Sequence, residues 1–305
     1  MTQFNSSAAV AFPLLHEVSQ QTYPDATLYV VATPIGNVGD ISVRALHVLA
    51  IVDAIACEDT RNTGHLLNRY GISKNLIAAH QHNEREVANK IITRLHAGER
   101  IALVSDAGTP AVSDPGARIV DAVRQAGLRV MPLPGPAAAV TALSASGLLN
   151  EQFFFVGFLP AKAKQRESAL IALSGMEAAL VFYEAPHRII ETVDALASIL
   201  GPARQIVFAR ELTKLFEEIH RCPLAAAAAW LAADANRQKG EFVIVVEGAP
   251  VHADADLLEA DRILTILLAE CSVKQAAALA AQITGQKKNA LYERALKMKN
   301  INAEQ

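Results

Sequence analysis

Three short stretches of the chain carry residues able to do chemistry. CEDTR places Glu58 and Asp59 beside Arg61; SDAGTPAVSDPG sets Asp106 and Asp114 on either side of Gly108 and Thr109; ARELTK puts Glu211 three residues before Lys214. A positioned carboxylate can take the proton from a hydroxyl. A nearby Lys or Arg can stabilise the resulting alkoxide or hold a flanking phosphate. Each residue also has a plain structural reading. Asp59 or Thr60 suits a helix N-cap, and Arg210–Glu211 with Lys214 suits a surface ion-pair network. Metal chemistry is not expected: the nine His show no HExxH or paired spacing, and Cys57, Cys222 and Cys271 form no CxxC. An odd, scattered cysteine count points to reduced thiols in a cytosol.

Glycine-rich loops usually cradle phosphate at a helix start. SDAGTPAVSDPG has no Lys and no Arg before Arg118, and its two Asp would repel a phosphate. Carboxylates beside a Gly-Thr backbone suit a cationic or polyhydroxylated ligand: a ribose diol, an amino group or a sulfonium. Asp114–Pro115–Gly116 also reads as helix-start grammar, with Asp as cap and Pro at the first helical position. That leaves Asp106–Ala107–Gly108–Thr109 to hold a ligand. ATPIGNVGDIS, residues 32–42, matches neither GxGxxG nor GxxxxGK[ST], and Asp40 or Ser42 can cap the helix after it. PLPGPAAAVTALSASG, residues 132–147, leaves little side-chain volume at a helix start. That permits a flat ligand to approach, or simply close helix–sheet packing.

The elements that must position these loops follow from apolar runs. Strands are expected at Leu28–Thr33, Ala54–Cys57, Leu76–Ala79, Ile101–Ser105 and Arg129–Pro132. Helices are expected at Ser42–Ile51, Asn62–Tyr70, Glu84–Ala97, Gly116–Ala126 and Pro136–Ala145. The near-continuous apolarity of the strands suits a parallel sheet buried on both faces, in a βαβα order that marks an α/β domain. The candidate loops then lie at strand carboxyl ends, where such sheets bind ligands. A second αβ unit begins at FFFVGFLP, residues 153–160. It continues through a strand in AALVFYEAP (178–186), a helix His187–Leu200, strands near Gln205–Arg210 and Glu217–His220, a helix over 224–234 and a strand at Glu241–Glu247. Its closely spaced strands predict a mixed sheet.

The domain plan is thus a loosely ordered tail over 1–26, an α/β domain over 27–148, a second over 149–250, and a helical extension over 251–305. In the extension, helices at Asp256–Glu270, Val273–Ile283 and Lys288–Met298, with Thr284–Gly285–Gln286 between the last two, fit a helix-turn-helix. From Ser272 onward Lys274, Lys287, Lys288, Arg294, Lys297 and Lys299 face only Glu293 and Glu304. The whole chain carries a net charge of −3, so any surface for nucleic acid is local. A solvated basic face explains the same residues. The N-terminus has no basic region before an apolar core, so no secretory signal is read there. No run approaches the ~20 apolar residues that span a bilayer.

The ordered set LYVVATPIGN, CEDTR, SDAGTPAVSDPG, PLPGPAAAVTALSASG, FVGFLP, FYEAPHRI, ARELTK and KGEFVIVVEG resembles the tetrapyrrole-methylase superfamily, in the branch that modifies ribosomal RNA. The resemblance covers residues 28–248 almost continuously. It implies an α/β fold of two αβ domains with an inter-domain cleft, plus the small helical extension. It implies S-adenosyl-L-methionine (SAM) as methyl donor, folded in the cleft of a dimeric, cytoplasmic enzyme. The implied reaction is 2′-O-methylation of a cytidine ribose in the decoding region of 16S rRNA, on the 30S subunit. Carried over by position, Pro34, Asp106, Ala107, Gly108, Thr109, Val112, Ala137, Ala138, Tyr183 and Glu184 line the donor site. Ala137 stands where the branch commonly has Ser, which matters little if the backbone makes the contact. The Gly-Gly-Asp run of porphyrin-type members is missing, which argues against a tetrapyrrole substrate.

Candidate bases for such a transfer are Glu58, Asp59, Glu184 and Glu211. The preferred arrangement is Glu211 with Lys214, faced by Glu58 and Arg61 on the opposing wall. Lys287, Lys288, Arg294 and Arg188 are the candidate RNA contacts. Two other readings stand beside this one. A methyltransferase acting on a tetrapyrrole-like small molecule would have no use for a basic helical tail. A non-catalytic RNA-binding module would not need its cleft acids.

Overall fold

The computed structural model describes residues 7–81, 83–250 and 253–303. The chain divides into two compact units, Met1–Ala249 and Pro250–Gln305. In the first, a helix α1 (Ser7–Ser19) precedes β1 (Thr27–Val31), α2 (Val43–Ile51), β2 (Ala54–Cys57), α3 (Thr60–Arg69) and β3 (Asn75–Ala78). Then come α4 (Glu84–His96), β4 (Arg100–Leu103), α5 (Ala117–Gln125), β5 (Arg129–Leu133) and α6 (Ala138–Ser146). The five strands form one parallel sheet in the order β3-β2-β4-β1-β5. Successive strand residues serve opposite cores. Tyr29, Val31, Ile55 and Cys57 pack with α1 and α2 residues, whereas Leu28, Ala56, Ile101 and Leu103 pack with α4 and α5 residues. Burial on both faces is why these strands read as unbroken apolar runs.

The second sheet comprises β6 (Phe153–Phe158), β7 (Ala179–Glu184), β8 (Gln205–Arg210), β9 (Glu218–Pro223) and β10 (Phe242–Val246). Its order is β6-β7-β10-β8-β9. β6 and β7 are parallel and the other pairs antiparallel, the mixed sheet expected from its close strands. Helices α7 (Ala163–Leu173), α8 (Ile189–Leu200) and α9 (Leu224–Ala232) cover one face, around fully buried Phe182 and Phe208. The other face receives α6: Ala139 and Ala142 pack on Val181, Val207, Val243 and Val245. The helix that ends the first sheet's domain in sequence therefore belongs by packing to the second sheet. It covers only part of that face and leaves room for a cavity.

Three sequence expectations change. The tail expected over 1–26 is helical over Ser7–Ser19, and Val18 and Tyr23 join the first core. The Tyr23 ring lies 4.8 Å from His47 on α2, and its carbonyl accepts from Arg100 Nε at 3.0 Å. Residues 1–6 lie outside the described residues. Helix α7 has no counterpart in the sequence reading, because its buried face includes Arg166 beside Leu170. That guanidinium meets Glu191 at 3.2 Å instead of completing an apolar stripe. Finally, Asp114 does not cap the helix after it. α5 has Gly116 as its N-cap residue at φ 129°, with no side-chain cap from its own segment. The buried carboxylate of Glu84, on α4, accepts the Gly116 N–H at 2.7 Å and supplies the cap from the neighbouring helix.

The second unit consists of α10 (Ala253–Glu270), α11 (Val273–Thr284) and α12 (Lys288–Ala303). Small residues, Ala260, Ala276, Ala277, Ala280 and Ala295, let the three helices close around Leu264 and Leu291. Ser272 and Gln275 form a reciprocal capping box at the start of α11. Gly285, at φ 72°, ends the helix in the left-handed conformation that glycine adopts without penalty.

Candidate active site

All strands of the first sheet run the same way, so the loops after β1, β2, β4 and β5 emerge at one edge. They open on the part of the second sheet's face that α6 leaves uncovered. Between them lies a cavity of about 350 Å³, within the range of small-molecule sites. Ala107, Gly108, Thr109 and Val112 line it from the β4 loop, and Ala137 and Ala138 from the start of α6. Tyr183 and Glu184 contribute from the end of β7. Eight of the ten residues assigned to the donor site thus converge on one space. The remaining two do not line it. Pro34 is buried beside it, with neighbouring Ile35 forming the wall, and Asp106 is exposed outside it.

Local geometry explains the shape of the β4 loop. Thr33 and Gly108 exchange backbone hydrogen bonds at 2.9 and 3.0 Å, tying the loop to the end of β1. Gly108 sits at φ 79°, where an L side chain is strained. Thr109 Oγ1 donates to the Pro136 carbonyl at 3.0 Å, which links this loop to the next. Asp106 accepts from the Asp59 N–H at 3.2 Å and from Asn62 Nδ2 at 2.8 Å, so it fixes the β4 loop to the start of α3. Gly135 is required by packing: a Cβ there would lie 2.8 Å from the Cβ of Ala32.

The lining charges are uniform. Asp114, Glu184 and Glu241 face the cavity and, among the described residues, no Lys or Arg does. Glu184 is fully engaged: Thr192 Oγ1 donates to it at 2.6 Å, the Ala185 N–H at 2.8 Å, and Arg188 stands 3.4 Å away. Glu241 is paired with Lys214 at 2.9 Å. Asp114 has no ion pair among the described residues. Burial, opposed by a hydrogen bond from Ser105 and aided by the charge of Asp106, pushes its carboxyl up. Glu58 stands in the same group, and burial together with the charges of Asp106, Asp114 and Asp59 pushes it up as well. Across the cavity, burial raises the Tyr183 phenol against the Ala139 N–H, and the Asp114 charge adds to the rise.

The other assigned residues are held differently. Asp59 caps α3 and binds Arg61 through Nη2 at 2.9 Å, which holds its carboxyl at about 2. Arg61 is therefore the partner of Asp59, not of Glu58, and its side chain is 85% exposed. Glu211 accepts from Lys214 Nζ and from the Glu241 N–H, both at 2.9 Å. Burial favours its neutral form, but these two hydrogen bonds and the Lys214 charge outweigh that and leave its pKa lowered. Lys214 is likewise raised, because its two carboxylate partners outweigh its burial. The preferred base and its cation are thus closed on one another. They brace the cleft: Asn37 N–H donates to Thr213 Oγ1 at 3.0 Å, and a Cβ at Gly36 would lie 2.6 Å from Lys214 Cγ and 2.9 Å from the Leu212 carbonyl.

Of the RNA candidates, Arg188 is committed to the Leu159 and Pro160 carbonyls, at 2.7 and 3.3 Å, as well as to Glu184. Arg294 forms a bidentate pair with Asp261 between α12 and α10. Both are structural ties rather than presented cations. Lys287 and Lys288 are exposed at the turn into α12. Sequence reasoning read Asp114 only as a helix start, whereas the structure places it on the cavity wall. Its Asp-Pro-Gly context matches a helix start so well that no signal separated it from a cap.

Comparison with known proteins adds relationship to geometry. The family model for Tetrapyrrole (Corrin/Porphyrin) Methylases matches residues 27–228, and that for the RsmI C-terminal HTH domain matches residues 254–299. The chain is 51% identical to ribosomal RNA small subunit methyltransferase I of Escherichia coli O157:H7 over 269 residues, 88% of this chain and 94% of that protein. It is 53% identical to the protein of the same name from Vibrio cholerae over 267 residues, 87% and 93% of the two chains. Uroporphyrin-III-C-methyltransferase from Thermus thermophilus superposes with a TM-score of 0.54 at 19% identity, over 73% of this chain and 95% of that one. A second structure, uroporphyrin-III C-methyl transferase from the same organism complexed with S-adenyl homocysteine, gives 0.51 at 16%, over 72% and 97%. At those identities the superpositions establish the fold.

Proposed function

Because the chain belongs to the tetrapyrrole (corrin/porphyrin) methylase family, we propose that it transfers a methyl group from SAM to the 2′-hydroxyl of a cytidine in the decoding region of 16S rRNA. The observation that carries this reading is the cavity of about 350 Å³ at the strand ends, walled by three carboxylates and, among the described residues, by no Lys or Arg. Such a wall suits a positively charged, phosphate-free nucleoside. When bound, SAM supplies an electrophilic methyl on a sulfonium. The Gly108 and Ala137 backbones offer close approach without side-chain bulk, and Tyr183 gives an aromatic wall. The relatives' name, ribosomal RNA small subunit methyltransferase, supports an rRNA acceptor.

The protein's tasks are positioning, worth up to roughly 7–11 kcal/mol in well-oriented systems, and removal of the hydroxyl proton. In the transfer, the ribose oxygen gains the methyl carbon as the carbon–sulfur bond breaks, and the 2′-hydroxyl proton leaves to a base. Asp114 is assigned that proton, with Glu58 behind it. These are the carboxyls whose surroundings favour a proton, and Asp114 lines the cavity. Glu211 and Lys214 hold the wall rather than the proton. The exposed Lys287 and Lys288 dock the helical unit on the rRNA of the 30S subunit. The chain acts as a homodimer in the cytoplasm; among the described residues no helix is long and apolar enough to cross a membrane. The deciding experiment incubates the protein with methyl-labelled SAM and 30S subunits, then digests the rRNA to nucleosides. Label in 2′-O-methylcytidine supports the reading; label in a lipid-soluble product, or none, refutes it.

A further inference from the structure

The proposed reaction needs a feature that holds the acceptor nucleotide at the donor cavity, and β6 carries one. Phe155 pairs with Val181 and Phe158 with Tyr183, so one extra residue is inserted between them. In a regular strand, residues three apart point to opposite faces. The bulge at Val156–Gly157 restores Phe158 to the same face as Phe155, towards the cavity. It depends on Gly157, at φ 74°, where a Cβ would lie 2.9 Å from Ser113 Oγ in the β4 loop. Bulges beside active sites commonly re-aim a side chain in this way.

The re-aimed ring lines the cavity yet is 56% exposed, the most open aromatic of its wall. It meets Tyr183 edge to face at a centroid distance of 5.6 Å, which fixes its orientation without covering it. Val112, 42% exposed, adds a further open apolar group at this rim. A space of about 350 Å³ is filled by a nucleoside donor, so an acceptor attached to RNA must meet the donor at the rim. To present its ribose hydroxyl there, the nucleotide has to leave its neighbours and lose their stacking. Proteins replace that lost stacking with an aromatic side chain.

We infer that Phe158 is the stacking platform for the base of the acceptor nucleotide, held at the cavity mouth by the Gly157 bulge. The inference rests on the rRNA-methylating reading above. The test compares the full-length wild type with Phe158→Leu, which keeps an apolar side chain, and Phe158→Trp, which keeps a stacking face. KM for 30S subunits, SAM affinity by calorimetry and mass in solution are measured for each. Phe158→Leu is expected to raise KM for 30S about tenfold or more, and Phe158→Trp to restore it. SAM affinity and mass should be unchanged in both. An unchanged KM in Phe158→Leu overturns the inference, as does a parallel loss of SAM affinity, which would put the ring on the donor. A change of oligomeric mass also overturns it, by making the ring an interface contact. In each of those cases wild-type transfer to rRNA stands; its absence would refute the enzyme reading itself, and this inference with it.

Discussion

Asp114 and Glu58 on one side of the cleft, and Glu211 and Glu241 on the other, carry the same functional group under opposite conditions. The first two are partly buried among further carboxylates, Asp59 and Asp106, and their proton affinity rises. Glu211 and Glu241 share Lys214, and the proton affinity of Glu211 falls. The proposed function takes this difference to separate a group that exchanges a proton from one fixed in a scaffold. Carboxylates of both kinds lie within reach of cations or helix starts in sequence, so residue type alone does not sort them.

The largest expected effect comes from breaking the first side. Asp114→Asn should lower kcat for rRNA methylation by about 10²–10⁴-fold with its melting temperature near wild type, while Glu211→Gln leaves most of kcat. Equal losses in single-turnover assays of the two variants would erase the distinction. Next, Lys214→Met leaves the half-buried Glu211 without its cation and should cost about 1–3 kcal/mol in urea unfolding. The pH dependence carries a sign. A lowered carboxyl stabilises the fold above its unfolded pKa of about 4.3, and that stability is lost as pH falls through the folded value. Lys214→Met should flatten this acid-side loss; an unaltered stability profile between pH 5 and 3 would show that the pair contributes nothing.

Gly36→Ala tests whether the brace is rigid. Its Cβ would meet Thr213 Oγ1 at 2.7 Å and the Leu212 carbonyl at 2.9 Å, and a backbone oxygen cannot swing aside. A loss of about 1–2 kcal/mol by denaturant unfolding is expected, and full wild-type stability would mean that the two loops part freely. The smallest effect is expected at Arg61, whose exposed pair with Asp59 faces solvent. Arg61→Ala should leave the melting curve and kcat unchanged, and a fall in kcat would return Arg61 to the catalytic wall.

Much of this arrangement is legible in the sequence, for a physical reason. Parallel strands buried on both faces, such as Ala54–Cys57, must be apolar without interruption, and the polar loops after them stand out by contrast. The loops that line the cavity inherit that clarity. Helix α7 is obscured because Arg166 occupies a position that an amphipathic helix gives to an apolar residue. Asp114 is obscured because helix-start grammar is local, while the true cap, Glu84, comes from another helix thirty-two residues away in the chain. The preference for Glu211 with Lys214 as base and cation gains no support from the structure, for a related reason. Their spacing in ARELTK is equally good for closing on each other, and only the third partner, Glu241, reveals that they do. The second unit reads well, since its caps, Ser272 with Gln275 and Gly285, are local signals.

The path of α6 bears on how the gene could be divided. Residues 146–150 look like a natural seam, yet the helix before them buries Ala139 and Ala142 on the sheet that follows. A polypeptide ending at 148 would carry a sticky apolar helix whose docking groove is encoded downstream. The remainder, beginning at 149, would fold around an unfilled trough. Two such pieces, co-expressed, would behave as a complementation pair: each poorly soluble alone, and assembling through α6 into one body whose cavity exists only when both halves are present.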